Sequence, residues 1–146
     1  MRRLLALLAL VLTSSLALAT DWTVRQRTAQ PFADVREALT LAIENRGLVI
    51  NYTSHIADML ARTGADIGAS KQVFGQAQII EFCSAKLSRQ MMEADPHNIV
   101  LCPFTIAIYS LPGQTQESWV GYRRPQGIAA PMVEPLLAEI LDEVAR

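Results

Sequence analysis

The sequence is short of most features that announce a chemistry. It holds two cysteines and two histidines in 146 residues. There is no C-x-x-C pair, so a thioredoxin-type exchange site is not indicated. There is no H-E-x-x-H, no G-x-S-x-G, no P-loop and no Rossmann glycine run, so peptidase, hydrolase and nucleotide-binding readings have no motif to rest on. Acidic residues are spread along helical stretches and show no paired-carboxylate arrangement. Charged residues make up only 18% of the chain, with a net charge of −1. No basic block interrupts it, which argues against nucleic acid or an anionic membrane as partner. No repeat, low-complexity tract or second domain is visible.

What is present begins with an export signal. Arg2 and Arg3 form a positive n-region, LLALLALVLTSSLAL is apolar and uncharged, and Ala17-Leu18-Ala19 is an A-x-A cleavage site. This pattern predicts a secretory signal peptide over residues 1–19, leaving a periplasmic or secreted chain with no membrane attachment after cleavage. The alternative is a membrane anchor, but the apolar run is short for a span and no stop-transfer pattern follows. Losing two arginines makes the remaining chain more acidic. Residues 20–146 are long enough to bury one core. Two cysteines in an exported chain allow at most one disulfide.

Periodicity predicts the elements in order. Asp21 to Thr28 alternates as a first strand. Pro31 opens a helix through Arg46, with Phe32, Val35, Leu39, Ala42 and Ile43 on one face and Gly47 as its stop. Leu48 to Ile56 is a second strand, with Leu48, Ile50, Tyr52 and Ile56 on one side and Asn51, Thr53 and His55 on the other. Ala57 to Thr63 is a helical turn, and Gly64 to Ser70 a loop. Gln72 to Cys83 is a third strand, weakened in its middle by Gly75. Ser84 caps a helix through Ala94, and Asp95-Pro96 ends it. Ile99 to Tyr109 is a fourth strand, with Val100, Cys102, Phe104, Ile106 and Ile108 on its inner face. A turn around Pro112-Gly113 leads to a fifth strand, Glu117 to Arg123. Met132 to Arg146 is a closing amphipathic helix. The pattern predicts an α+β, two-layer domain: an antiparallel or mixed sheet of about five strands with helices packed on one face. The outer face of the fourth strand (Leu101, Pro103, Thr105, Ala107, Tyr109) is apolar for a solvent face. A homodimer is the simplest cover for it.

The stretch from Phe82 to Tyr109, FCSAKLSRQMMEADPHNIVLCPFTIAIY, resembles a segment of domain-of-unknown-function family 302. There a cysteine precedes a helix ending in an acidic-Pro turn, and an apolar strand then leads through proline to a tyrosine. Arg46-Gly47-Leu48 and Val120-Gly121-Tyr122 fit the same pattern, and the resemblance runs over about residues 22–125. It implies a compact TATA-binding-protein-like α+β domain, a dimer and no established activity. The family commonly has Asn-Pro after the first cysteine, where this chain has Ser84-Ala85. It often has a cysteine after the strand proline, where this chain has Phe104 and instead carries Cys102 before Pro103. The YRRP run (Tyr122 to Pro125) and the leader resemble an exported branch.

Cys83 sits at a strand end just before a helix cap, where the helix dipole would favour a thiolate. Its bland alternative is a small buried hydrophobe or half of a disulfide. A strand–helix–strand path could bring Cys102 close to it. Tyr122, Arg123 and Arg124 form the one compact cationic-aromatic group. With Arg89 they could line an anion pocket, since arginine recognises carboxylate, sulfate or phosphate as a fork. Otherwise they are a solvated strand end paired with carboxylates. A zinc or copper site would draw on Cys83, Cys102, His55 and His97, with Met91 or Met92 as thioether ligands for Cu(I). That spacing matches no ligand signature, and no cofactor is expected.

These observations lead to an exported small accessory or ligand-binding protein, non-enzymatic and dimeric. Its groove would lie near Cys83, Ser84, Arg89 and the YRRP run, and its ligand would be a small anion or sulfur compound. The alternative is a periplasmic redox or metal-handling protein, sulfur- or copper-related, using Cys83 and Cys102. A third reading is a cysteine-dependent enzyme on small sulfur compounds, which needs Cys83 to be far more reactive than Cys102.

Overall fold

The computed structural model describes residues 22–146. The predicted signal peptide and the predicted cleavage point after Ala19 lie outside the described residues, as does Asp21. The elements run β1 (Thr23–Thr28), α1 (Phe32–Glu44), β2 (Val49–His55), α2 (Ile56–Gly64), β3 (Gln76–Cys83), α3 (Ala85–Ala94), β4 (Phe104–Ser110), β5 (Ser118–Arg123) and α4 (Ala130–Val144). The strands form one sheet in the order β1-β5-β4-β3-β2. Every neighbouring pair is antiparallel. The domain is the two-layer α+β sandwich that the element pattern predicts, with the wholly antiparallel form of the sheet.

The core lies between the sheet and α1, α3 and α4. Period-two alternation turns Ile80 and Phe82 of β3, Phe104, Ile106 and Ile108 of β4, and Val120 and Tyr122 of β5 to one side. All are buried, Ile106, Ile108 and Val120 completely. From the helices come Val35, Leu39 and Ile43, Met91, and Val133, Leu137, Ile140 and Leu141. Each fully buried aliphatic side chain contributes roughly 1.5–3 kcal/mol. The rings of Phe82 and Phe104 meet edge to face across β3 and β4, with centroids 6.0 Å apart. Gln26, on the inner side of β1, reaches Asp142 of α4 at 2.8 Å.

Local chemistry sets the element ends. Gly47 (φ 68°) turns the chain out of α1, and the Leu48 N–H closes the turn on the Ile43 carbonyl at 3.3 Å. Because that turn occupies residues 45–47, α1 stops at Glu44 rather than Arg46. In β2 the register shifts between Ile50 and Tyr52. The bulge reverses the expected facing. Ile50 and Thr53 lie opposite the inward Phe82 and Ile80, while Tyr52 lies opposite Glu81 and stands 62% exposed. Gly75 precedes β3 instead of weakening its middle. Its N–H donates to the Ser110 carbonyl, and a Cβ there would lie 2.9 Å from Ser110 Oγ.

The fourth strand is shorter than alternation suggests. Residues 99–101 belong to a 3₁₀ turn, Pro96–Leu101, and β4 starts at Phe104. Asp95 caps that turn by accepting the His97 N–H at 2.9 Å, and Pro96 occupies its first turn. Val100 therefore does not face the core and is 83% exposed. Cys102 lies in the linker, and the Cys102–Pro103 peptide is cis.

Candidate functional site

Cys83 ends β3 one residue before the cap of α3. Ser84 Oγ accepts the Leu87 N–H at 3.3 Å, which starts the helix where the sequence places it. The returning linker sets Cys102 alongside, so that the two Sγ atoms lie 3.5 Å apart. Both are free thiols and half-buried. Ser88, one turn into α3, places its hydroxyl 3.4 Å from Cys102 Sγ. The sulfurs are in contact but beyond the ~2.05 Å of a disulfide.

The electrostatics of Cys83 reverse the expectation drawn from the helix dipole. Its pKa is pushed up to about 11, first by burial, then by hydrogen bonding with Cys102, then by the negative charge Cys102 carries once ionised. At neutral pH Cys83 is a protonated thiol.

The remaining candidate residues do not assemble around it. Arg89 is on the exposed face of α3 and pairs with Glu93 one turn on, Nε to Oε1 2.5 Å. His97 is exposed in the 3₁₀ turn. His55 lies at the opposite end of the β2–β3 pair, 3.2 Å from Gln78 Nε2. It is roughly 17 Å of strand away from Cys83, at ~3.4 Å per residue. Among the described residues no group of three or more His, Cys, Asp or Glu side chains gathers as a metal ion would need.

Strand alternation turns Tyr122 of the YRRP run away from Arg123, while Arg123, Arg124 and Pro125 border one hollow. Tyr122 faces inward, 5% exposed, with its pKa raised by burial and by Glu134 against the opposing pull of Arg124. Arg124 is in an ion pair with Glu134 of α4. Arg123, between them, is exposed, and its side chain makes no hydrogen bond or ion pair among the described residues.

Two hollows meet at Arg123. One, about 480 Å³, is on the face of the sheet turned away from the core. It includes Arg25, Ile79, Glu81, Thr105, Ala107, Tyr109 and Gly121. Beside it Tyr109 and Trp119 stack, 6.3 Å between centroids and 7° between planes. The other, about 350 Å³, lies at the end of the sheet between the linker into β4 and that strand's first two residues, the Arg123–Gln126 segment and α4. Leu101 and Pro103, the two neighbours of Cys102, both line it. Sequence reading missed Ser88, Glu81 and this end cleft. The alternation of β3 could have placed Glu81 opposite the core face. Nothing in the local pattern signals a cleft whose walls come from four separate segments.

The comparisons bear on the fold. The model of the family described as domain of unknown function DUF302 matches residues 23–146. The chain is also similar to the crystal structure of an uncharacterized conserved DUF302 protein from Bacillus stearothermophilus. The TM-score is 0.70 at 14% identity, covering 86% of this chain and 99% of that one. No curated protein matches the chain.

Proposed function

The chain belongs to the DUF302 family, a family defined without an assigned function, and from that premise we propose that it is an exported accessory domain that binds a small ligand as a homodimer. The observation that carries the binding reading is Arg123: an exposed cation with no partner among the described residues, at the junction of two hollows. A guanidinium left unpaired on a strand end is suited to an anion from outside. The dimer is supported by the apolar character of the sheet face turned away from the core, with Ile79, Ala107 and the Tyr109–Trp119 stack. A second copy would remove that surface from water. Export is supported by the leader pattern over residues 1–19 alone.

The test is native mass spectrometry on protein recovered from its own compartment. A chain starting at Thr20, at twice the monomer mass and carrying a small retained adduct, supports all three parts. A bare monomer that also binds none of a panel of small anions in titration would overturn the binding and dimer parts. A chain starting at Met1 would overturn export.

The 3.5 Å thiol contact favours a second reading, a dithiol that cycles through a Cys83–Cys102 disulfide. Two thiols and an external disulfide would exchange to one internal disulfide and two released thiols. Alkylation after equilibration in graded thiol–disulfide buffers tests it: a reversible two-electron transition supports the cycle, and thiols that stay free throughout count against it. The thiolate is the attacking species, so the raised pKa of Cys83 slows attack on an external disulfide as much as it would slow a cysteine-dependent enzyme.

A further inference from the structure

We propose that the end cleft is the ligand site and that its ligand is a small amphipathic monoanion, an apolar chain or ring bearing one oxyanion head group. This rests on the ligand-binding reading above and gives it a place and a chemistry.

The floor of the cleft is the core itself. Phe104, Val133 and Leu137 line it and are 1–3% exposed. Its mouth carries two large apolar side chains left in water, Trp22 at 63% and Val100 at 83% exposure. Neither is loosely attached. The Trp22 carbonyl accepts the Arg124 N–H at 2.8 Å, and Val100 belongs to the 3₁₀ turn anchored by Asp95. An apolar ligand body seated between them would cover both, which is the favourable part of binding.

The charge selects the head group. Among the described residues lining the cleft the charged ones are Arg123 and Arg124, with no carboxylate among them. Arg124 is neutralised by Glu134, so the net unspent charge is that of Arg123. The protein as a whole carries −1, so this positive spot is local. A cation or a neutral polar solute would find no complement there. A fully polar anion would leave the apolar walls uncovered. The cleft volume, about 350 Å³, lies at the small end of ligand pockets.

The experiment is calorimetric titration of the mature chain with octanoate, octanesulfonate, 1-octanol and acetate. Octanoate and octanesulfonate are expected to bind, with acetate far weaker. Arg123→Gln should weaken both octyl anions roughly tenfold or more, as loss of a charge-assisted bond does. It should leave 1-octanol within about twofold, by the same reasoning. Val100→Asp, a change at an exposed position, should weaken the octyl anions while the far-ultraviolet spectrum and melting temperature stay as in wild type. Arg25→Gln, in the other hollow, should change nothing. If Arg25→Gln weakens octanoate as much as Arg123→Gln, the ligand lies on the sheet face; the inference is overturned and the broader binding reading stands. If acetate binds as well as octanoate, the amphipathic part falls. If none of the four binds, the inference is overturned, and the retained-adduct measurement decides the broader reading separately.

Discussion

Cys83 Sγ and Cys102 Sγ are in contact at 3.5 Å, and that contact helps hold the Cys83 pKa near 11. Replacing Cys102 with alanine removes two of the three influences that raise it, leaving burial. The Cys83 pKa should then fall toward 9.0. Its iodoacetamide reaction at pH 9 should speed up by at least about twofold, since rate follows the thiolate fraction. Mass-spectrometric alkylation kinetics would read this, and an unchanged rate would leave burial as the whole cause.

The same shift predicts a pH dependence of stability. The folded-state value, about 11, lies above the ordinary value of 9.0. The stabilisation is complete below pH 9 and is lost as pH rises through 11, because the unfolded chain ionises first. The melting temperature should therefore decline across that window. Cys83→Ala should show a shallower decline. It should keep a residual one, because the Tyr122 pKa is also raised above its ordinary 10.0 and acts with the same sign at higher pH.

Ser84 is the one residue whose side chain starts α3, through the Leu87 N–H. Ser84→Ala should cost about 1 kcal/mol, and Ser84→Thr, which keeps a capping oxygen, should cost less. Urea denaturation midpoints at unchanged slope would check the order.

Gly121 lets β1 close on β5. A Cβ there would lie 2.6 Å from the Val24 carbonyl oxygen, a backbone atom that cannot swing away. Gly121→Ala should destabilise by roughly 1–3 kcal/mol, the usual range for overpacking. A stability equal to wild type would mean that the two strands can part at no cost.

The proposed dimer makes Ala107 an interface residue, since it faces the side of β4 turned away from the core. Ala107→Arg should convert a dimeric protein to a monomer in light scattering while the circular dichroism spectrum is retained. A wild-type protein already monomeric at micromolar concentration would remove the basis for the interface.

Much of this architecture was legible from local chemistry. Phe32, Val35, Leu39, Ala42 and Ile43 mark one helix face by spacing alone, and all five are buried. Gly47, Ser84 and the Phe104-Ile106-Ile108 alternation act where the sequence places them, because caps, left-handed stops and strand facing depend on residues a few positions apart. The misplacements occur where a local pattern meets a longer-range one. Ile99-Val100-Leu101 is apolar enough for a strand, yet Asp95 and Pro96 start a 3₁₀ turn there. A single bulge after Ile50 sends Tyr52 to the opposite face.

The candidate site divides along the same line. Sequence by itself determined that one helix begins at Ser84, that one strand carries the core through Ile106, and that Cys83 stands just before that helix. Each follows from rotamer, capping and alternation rules acting within a few residues. Only the tertiary structure decided that Cys102 touches Cys83, that Arg89 stands apart with Glu93, and that Tyr122 turns into the core while Arg123 and Arg124 line one cleft. It also decided that Arg123 meets Trp22, Val100 and Leu137 around one cleft. Those relations depend on strand order and on the path of a linker, and packing of the whole chain sets both.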